Sequence, residues 1–563
     1  MRLRALCAAC AAAALCACAS APAPADPLSA EARAYGDFLV GRFANLRDDH
    51  QTAADRYFDA LRDEPGTPEL IEGAVDATLA AGDVRRARLG ARLAQDSGVD
   101  LAAARLVRAA DALAQNRWSA ASAETRGLDG DGVQELTGRI LAIWAEAGAG
   151  NTDVALANLG LIEMPPPFSG IFHYQRAMTL ELAGRDDEAA GAYAQARTAG
   201  LWLPPAAVRD VDMLARLNRG EESARLYRDA SGRIRDPDLQ RTIEAAQTNG
   251  RVAHARLTPA RGAAIGVYAI GALLSEQREY SRATALLTLA LMLDSGLDAA
   301  RVAFADAERE AGRYAGARAA LAQIPPASPY AENARVTAAW ILNEEERTGE
   351  AIAAAQAAAQ SGSRIARIAL ADLYRGADRW GEADAAYTAL IDSIETPSAG
   401  DWTLFFARGA ARERLDRWPE AEADFRRALE LAPDQPETLN YLGYAMVDRG
   451  QNLEEGLALV QRAASLRPNS GHIIDSLGWA YYRLGDYERA VELLERAVEL
   501  EPADVTLNDH LGDALWRAGR RVEARYQWSR ALTLDPTAAE RAPIERKLAE
   551  GLPADPAEST AAR

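Results

Sequence analysis

From Gly471 to Asp504 the chain reads GHIIDSLGWAYYRLGDYERAVELLERAVELEPAD, and the rest of the sequence copies this stretch with varying fidelity. Ile473, Ile474, Leu477, Tyr481 and Leu484 recur at helical spacing. Gly485 and Asp486 interrupt, and Ala490, Leu493, Leu494, Ala497, Val498 and Leu500 resume the period until Pro502. The spacing predicts two short helices folded on each other. Gly485 is suited to the left-handed conformation that ends a helix, Asp486 to capping the next, and Pro502, lacking an N–H, to stopping it. Gly478 and Ala490 are small where the helices must approach. A lone pair of this kind leaves much of its apolar surface in water, so the stretch demands stacked neighbours.

The neighbours are written in register. The small residue of the first helix returns as Gly409, Gly443, Gly478 and Gly512, and the closing proline as Pro433, Pro468, Pro502 and Pro536. The middle of the second helix returns as Phe425, Leu459, Leu494 and Trp528, following the small Ala421, Gly456, Ala490 and Ala524. Four correlated positions at steps of 34 or 35 make residues 401–536 resemble four successive tetratricopeptide repeats.

Upstream the period persists more faintly. Ala53, Ala87, Ala121, Ala155 and Ala189 follow at steps of 34, with Ala224 after them, and define an N-terminal array over residues 34–235. Residues 236–263 break the cadence as a degenerate pair or a hinge. Ala283, Ala317, Ala351 and Ala383 mark a divergent array over 264–400, and 401–536 is the strong block. Residues 537–563 read as a polar-faced capping helix and a tail. The expectation is an all-α chain, an α-solenoid superhelix of about fourteen tetratricopeptide-type helix pairs.

The first residues differ in kind. Arg2 and Arg4 precede an apolar run from Ala5 to Ala17, and all four cysteines, Cys7, Cys10, Cys16 and Cys18, fall in this region. Residues 1–17 read as a secretory signal peptide. Leu15-Cys16-Ala17-Cys18 resembles the lipobox of bacterial lipoproteins, which implies lipidation at Cys18, with residues 18–33 as anchor and Pro/Ala linker. Outer-membrane attachment with the folded part in the periplasm is the expectation.

A formal charge of −19 argues against a nucleic-acid partner. No catalytic, cofactor or metal pattern emerges. The nearest calcium-like turn, at residues 129–132, places Ile140 where a bidentate glutamate belongs. The first helices offer a groove instead. Asp475, Trp479, Tyr482 and Arg483 share the face opposite Leu477, Tyr481 and Leu484. Asn440 and Tyr444 hold matching places one repeat earlier, and Asp509, Asp513, Trp516 and Arg517 one repeat later. The resemblance puts this face on the concave side of the superhelix, where large rings edged by arginine suit partner binding. The same rings could instead pack against neighbouring first helices: replacing both Trp479 and Trp516 is expected to cost binding and leave melting nearly unchanged if they form a binding strip, and to lower melting if they belong to the packing.

The block LNYLGYAMVDRG, DSLGWAYYRLGDYERAVELLERA and NDHLGDALWRAGR is similar to that of large outer-membrane tetratricopeptide lipoproteins of Gram-negative bacteria. That resemblance implies a non-enzymatic adaptor linking a periplasmic carboxyl-terminal processing protease to its substrates. An assembly factor for an outer-membrane secretion, pilus or exopolysaccharide export machine is the alternative.

Overall fold

The computed structural model describes residues 29–128, 132–162, 169–200, 202–223, 226, 236–248 and 252–553. Cys18 with the signal-peptide and linker readings up to residue 28, the calcium-like turn at 129–131, Ala224, and the tail beyond Pro553 lie outside the described residues. Every described element is helical, and no described helix is long and apolar enough to cross a membrane. The architecture is the expected all-α solenoid type, built of paired helices.

One conformational device makes the pairs. Asp48, Gly82, Asn116, Gly150, Gly184, Asn218, Arg278, Gly312, Glu346, Asp378, Asp416, Gly450, Gly485 and Gly519 all have φ between 56° and 87°. Each follows the end of a helix, and the next residue's N–H bonds back to the carbonyl five residues earlier, as Asp486 N does to Tyr481 O at 3.0 Å. This is the Schellman closure, which satisfies the orphan carbonyls of the first helix and turns the chain. Glycine, asparagine and aspartate supply most of these positions because they tolerate the left-handed region best. The fourth residue of the second helix is the other constant. Ala53, Ala87, Ala121, Ala155, Ala189, Ala283, Ala317, Ala351, Ala383, Ala421, Ala490 and Ala524 are all completely buried there.

The chain forms two compact units, divided between Arg347 and Thr348. In the first unit the helices are α1 (Ala30–Leu46), α2 (His50–Asp63), α3 (Pro68–Ala80), α4 (Val84–Asp96), α5 (Ala102–Ala114), α6 (Trp118–Thr125), α7 (Gly132–Gly148), α8 (Thr152–Gly160), α9 (Ser169–Leu182), α10 (Asp186–Thr198), α11 (Pro204–Arg216), α12 (Pro237–Gln247), α13 (Pro259–Glu276), α14 (Tyr280–Leu293), α15 (Asp298–Glu310), α16 (Tyr314–Leu321) and α17 (Ala331–Glu344). Consecutive helices stack from α1 onward, but the α13–α14 pair does not simply extend the row. It packs on the first helices of earlier pairs: α13 on α7 and α9, α14 on α3 and α5. Close approach is possible because α13 is small on that side. A Cβ at Gly262 would stand 2.2 Å from the Trp144 ring, and one at Gly266 would stand 2.9 Å from Ile140 and Gln175. Trp144 is fully buried and donates its indole N–H to Gln175 Oε1 at 2.5 Å. The inner face of the N-terminal pairs is therefore occupied by the chain's own α13–α14 pair.

The second unit contains α18 (Thr348–Ala359), α19 (Arg364–Gly376), α20 (Trp380–Asp392), α21 (Trp402–Arg414), α22 (Trp418–Leu431), α23 (Pro436–Asp448), α24 (Leu453–Leu466), α25 (Gly471–Leu484), α26 (Tyr487–Leu500), α27 (Val505–Arg517), α28 (Arg521–Thr533) and α29 (Ala538–Glu550). Here each helix packs on the next, and first helices α23, α25 and α27 also lie side by side. The four glycines of the repeat sit where pairs close. A Cβ would meet Phe425 at 2.8 Å from Gly409, the Gly456 carbonyl at 2.7 Å from Gly443, Leu494 at 2.7 Å from Gly478, and Trp528 at 2.4 Å from Gly512. Further up, Asp424 accepts from Arg408 and Arg412, and Asp384 accepts from Arg412 and Arg417, a half-buried network tying α20, α21 and α22.

Candidate functional site

The face selected from sequence is continuous across α23, α25 and α27, and its residues are more engaged with one another than isolated wall positions would be. Trp479 stacks on Tyr482, with ring centroids 4.6 Å apart and planes 13° apart, and on His510 of α27, at 4.2 Å and 17°. The imidazole of His510 lies 3.0 Å from Asp475 Oδ2 and is buried with it. Burial opposes charging of that imidazole, but the Asp475, Asp509 and Asp513 carboxylates outweigh it and hold the pKa above the usual histidine value. His510 was missing from the sequence-derived set because it carries no metal or catalytic spacing. Its position one residue after Asp509 was the available signal.

Tyr444 is half-buried on α23, and its hydroxyl is pushed up to about 12 by burial and the Asp448 and Asp475 charges. Arg483 donates to the Asp448 backbone carbonyl at 2.6 Å, bridging α25 to α23. Three polar atoms on this face have no hydrogen-bond partner although they are buried: on α23 and α25 the acceptor Oδ1 of Asn440 and the donor Nε1 of Trp479, and on α27 the acceptor Oδ1 of Asp509.

The third repeat differs. Lys547 of α29, the chain's single lysine, donates to Asp509 Oδ2 at 2.8 Å and Asp513 Oδ2 at 2.7 Å. Asp513 also accepts from Trp528 Nε1 at 3.0 Å. Trp516 packs against Gly551, where a Cβ would stand 2.1 Å from the indole, and against Trp528 at 5.4 Å. The Arg521 and Arg525 guanidiniums lie over its ring. Arg517 donates to the Pro553 carbonyl at 2.8 Å. Asp509, Asp513, Trp516 and Arg517 thus meet the chain's own C-terminal segment, so the open part of the face belongs to α23 and α25. Of the two readings of Trp479 and Trp516, these contacts are those of packing rings: both tie helices together.

The first unit has its own concavity, a cleft of about 250 Å³ beside α14 lined by His50, Asp76, Leu79, Leu106, Ser281 and Leu289. His50 Nε2 lies 2.8 Å from Ser281 Oγ, which donates to Asp48 Oδ1 at 2.9 Å. Burial and the Arg313 charge push the His50 imidazole down to about 4. Burial and the neighbouring Glu72 lift the Asp76 carboxyl to about 6.

The tetratricopeptide repeat family matches residues 140–200, 368–436, 406–471 and 476–539. Over those stretches the chain is built of tetratricopeptide repeats, a fold whose general use is binding other proteins. A stretch of 85 residues is 34% identical to the TPR repeat-containing protein PA4667 of Pseudomonas aeruginosa, spanning 15% of this chain and only 14% of that protein. Among solved structures, a tetratricopeptide repeat protein from Parabacteroides merdae is 17% identical over 45% of this chain and 97% of its own, with a TM-score of 0.37. The APC/C hetero-tetramer Cut9–Hcn1 is 15% identical over 92% of this chain and 96% of its own, with a TM-score of 0.38.

Proposed function

We propose that the chain is a non-catalytic scaffold that holds an extended segment of a partner protein against the α23–α25 face. The observation that carries this reading is the pair of buried, unpartnered polar atoms there, Asn440 Oδ1 and Trp479 Nε1. A buried polar group without a partner costs roughly 1–3 kcal/mol, and an extended peptide backbone supplies one N–H for the amide oxygen and one carbonyl for the indole. Tyr444 and Tyr482 flank these atoms with half-buried rings that suit side chains of such a segment. In this reading Cys18 carries the lipid that attaches the chain to the outer membrane, with the folded part in the periplasm. The partners are a periplasmic protease and the substrates it is brought. Crosslinking the tagged chain in intact envelopes and identifying what copurifies tests the proposal. A protease together with its substrate is the expected result. Exclusive recovery of secretin, pilus or polysaccharide-export components would replace the adaptor role with machine assembly. Loss of acyl labelling and of membrane retention in Cys18→Ser is the expected result for the anchor.

A further inference from the structure

Besides the Arg525 contact to the Leu548 carbonyl and the packing of Ile544, the C-terminal segment engages four residues of α27, and the four are one set. Asp509, Asp513, Trp516 and Arg517 stand in the register positions that Asn440, Tyr444, Val447 and Asp448 hold on α23, and Asp475, Trp479, Tyr482 and Arg483 on α25. On α27 all four are engaged: the two carboxylates by the Lys547 ammonium, Trp516 by Gly551, and Arg517 by the Pro553 carbonyl. The segment does to the last repeat what a bound partner would do to the two before it.

Its own hold on the fold is slight. Ile544 is the one buried residue of α29, Leu548 and Leu552 are partly covered, and Pro543 interrupts the helix's hydrogen bonding. Most of its remaining positions face solvent. The strongest attachments are thus the polar ones to the groove. One acceptor there is still unused: Asp509 Oδ1 is buried without a hydrogen-bond partner. A lysine ammonium has three donors and a guanidinium five in a fixed fork, so an arginine is able to take up the spare acceptor along with the two carboxylate oxygens Lys547 holds.

We propose that α29 and residues 551–553 are a displaceable internal occupant of the groove, with Lys547 standing in for a basic side chain of the partner segment. This rests on the reading of the α23–α25 face as the partner surface. The partner segment that reaches the last repeat then carries a lysine or arginine for Asp509 and Asp513 and a backbone carbonyl for Arg517, and it displaces the strap on arrival.

Because Lys547 is the only lysine, amine acylation reads the strap directly in the unaltered full-length chain. Acetylation at Lys547 by an N-hydroxysuccinimide ester, followed by mass spectrometry of the peptide containing it, is expected to run at least tenfold slower in the native chain than in urea. An N-acetylated peptide of residues 537–553 carrying Lys547→Arg is then added at several millimolar, above the effective concentration of a tethered segment. It is expected to speed labelling at least threefold. Asp509→Asn with Asp513→Asn is expected to do the same without peptide while helical content holds. Native labelling at the unfolded rate overturns the proposal by showing that Lys547 is not held. Slow labelling that the peptide fails to accelerate also overturns it, making α29 a fixed cap. These rates are read without a partner, so a failed partner search counts against the groove reading and leaves the strap to be judged by labelling alone.

Discussion

Replacing Gly443 by alanine should push apart the α23–α24 pair. A Cβ at this position would stand 2.7 Å from the Gly456 carbonyl oxygen, 2.7 Å from a Val460 methyl and 3.0 Å from the Leu459 Cβ. At Gly478 the nearest obstruction is the Leu494 side chain, with the Ala490 carbonyl at 3.3 Å, whereas here a backbone carbonyl is itself at 2.7 Å. Relief therefore requires α24 to move bodily by something like half an ångström or more. Overpacking of this kind costs about 1–3 kcal/mol, and the backbone obstacle puts it in the upper half. Removing glycine from a helix returns about 0.5–1 kcal/mol. The net loss is about 2 kcal/mol. Gly191 in α10 is the control, because it is exposed and nothing lies within 4 Å of an added Cβ. There the propensity gain stands alone, about 0.5–1 kcal/mol of stabilisation. Repeat arrays open locally, so the assay is native-state hydrogen exchange of the α23–α24 and α10 amides followed by mass spectrometry. The reasoning fails if Gly443→Ala shifts α23–α24 by less than about 0.5 kcal/mol, or if both substitutions move their helices in the same direction.

Further outcomes follow from other sites. His50 titrates at about 4 in the folded chain against about 6.5 unfolded, so its contribution is whole above pH 6.5 and is lost as pH falls through 4. Subtracting the pH–stability curve of His50→Gln from that of the unaltered chain should isolate a loss of at most about 3 kcal/mol in that window. His510 runs the other way: its raised pKa gives the second unit stability that is present below about 6.5 and fades as pH rises through the folded value. A flat difference curve at either position refutes the assignment. Alanine at Trp479 or Trp516 should each lower stability by roughly 2 kcal/mol, since both half-buried rings stack on neighbours; unchanged unfolding midpoints would restore them as free groove walls. Arg278, held at φ 65° and exposed, should yield about 0.5–1 kcal/mol when replaced by glycine, read from thermal melting of the full chain.

The pairs were legible because two of their constraints are local. A left-handed turn residue and a fully buried alanine four places into the second helix leave marks at a fixed period, and both recur where the spacing put them. What the period does not encode is where a pair goes once formed. The α13–α14 pair keeps the cadence through Gly271 and Ala283, yet its ten consecutive buried residues from Gly262 to Gly271 mark a helix covered on every side. Gly262 and Gly266 carried that information, since small residues one turn apart permit an approach on a second face. The candidate face was similarly half readable. Helical geometry assigns Asp475, Trp479, Tyr482 and Arg483 to one side, but Lys547 lies 34 and 38 residues from its two aspartates. The capping helix is legible after Pro536, but no local pattern announces that its lysine reaches the groove carboxylates of the last repeat.

The central claim is that a partner lies along α23 and α25, and a photoreactive amino acid placed at Tyr444 tests it most directly. Tyr526 on α28, 67% exposed and on a second helix, serves as the comparison. Irradiation in intact cells should join Tyr444 to a single stretch of a partner protein that Tyr526 does not reach. If Tyr526 captures the partner and Tyr444 yields nothing, the second helices are the binding surface and the account is wrong.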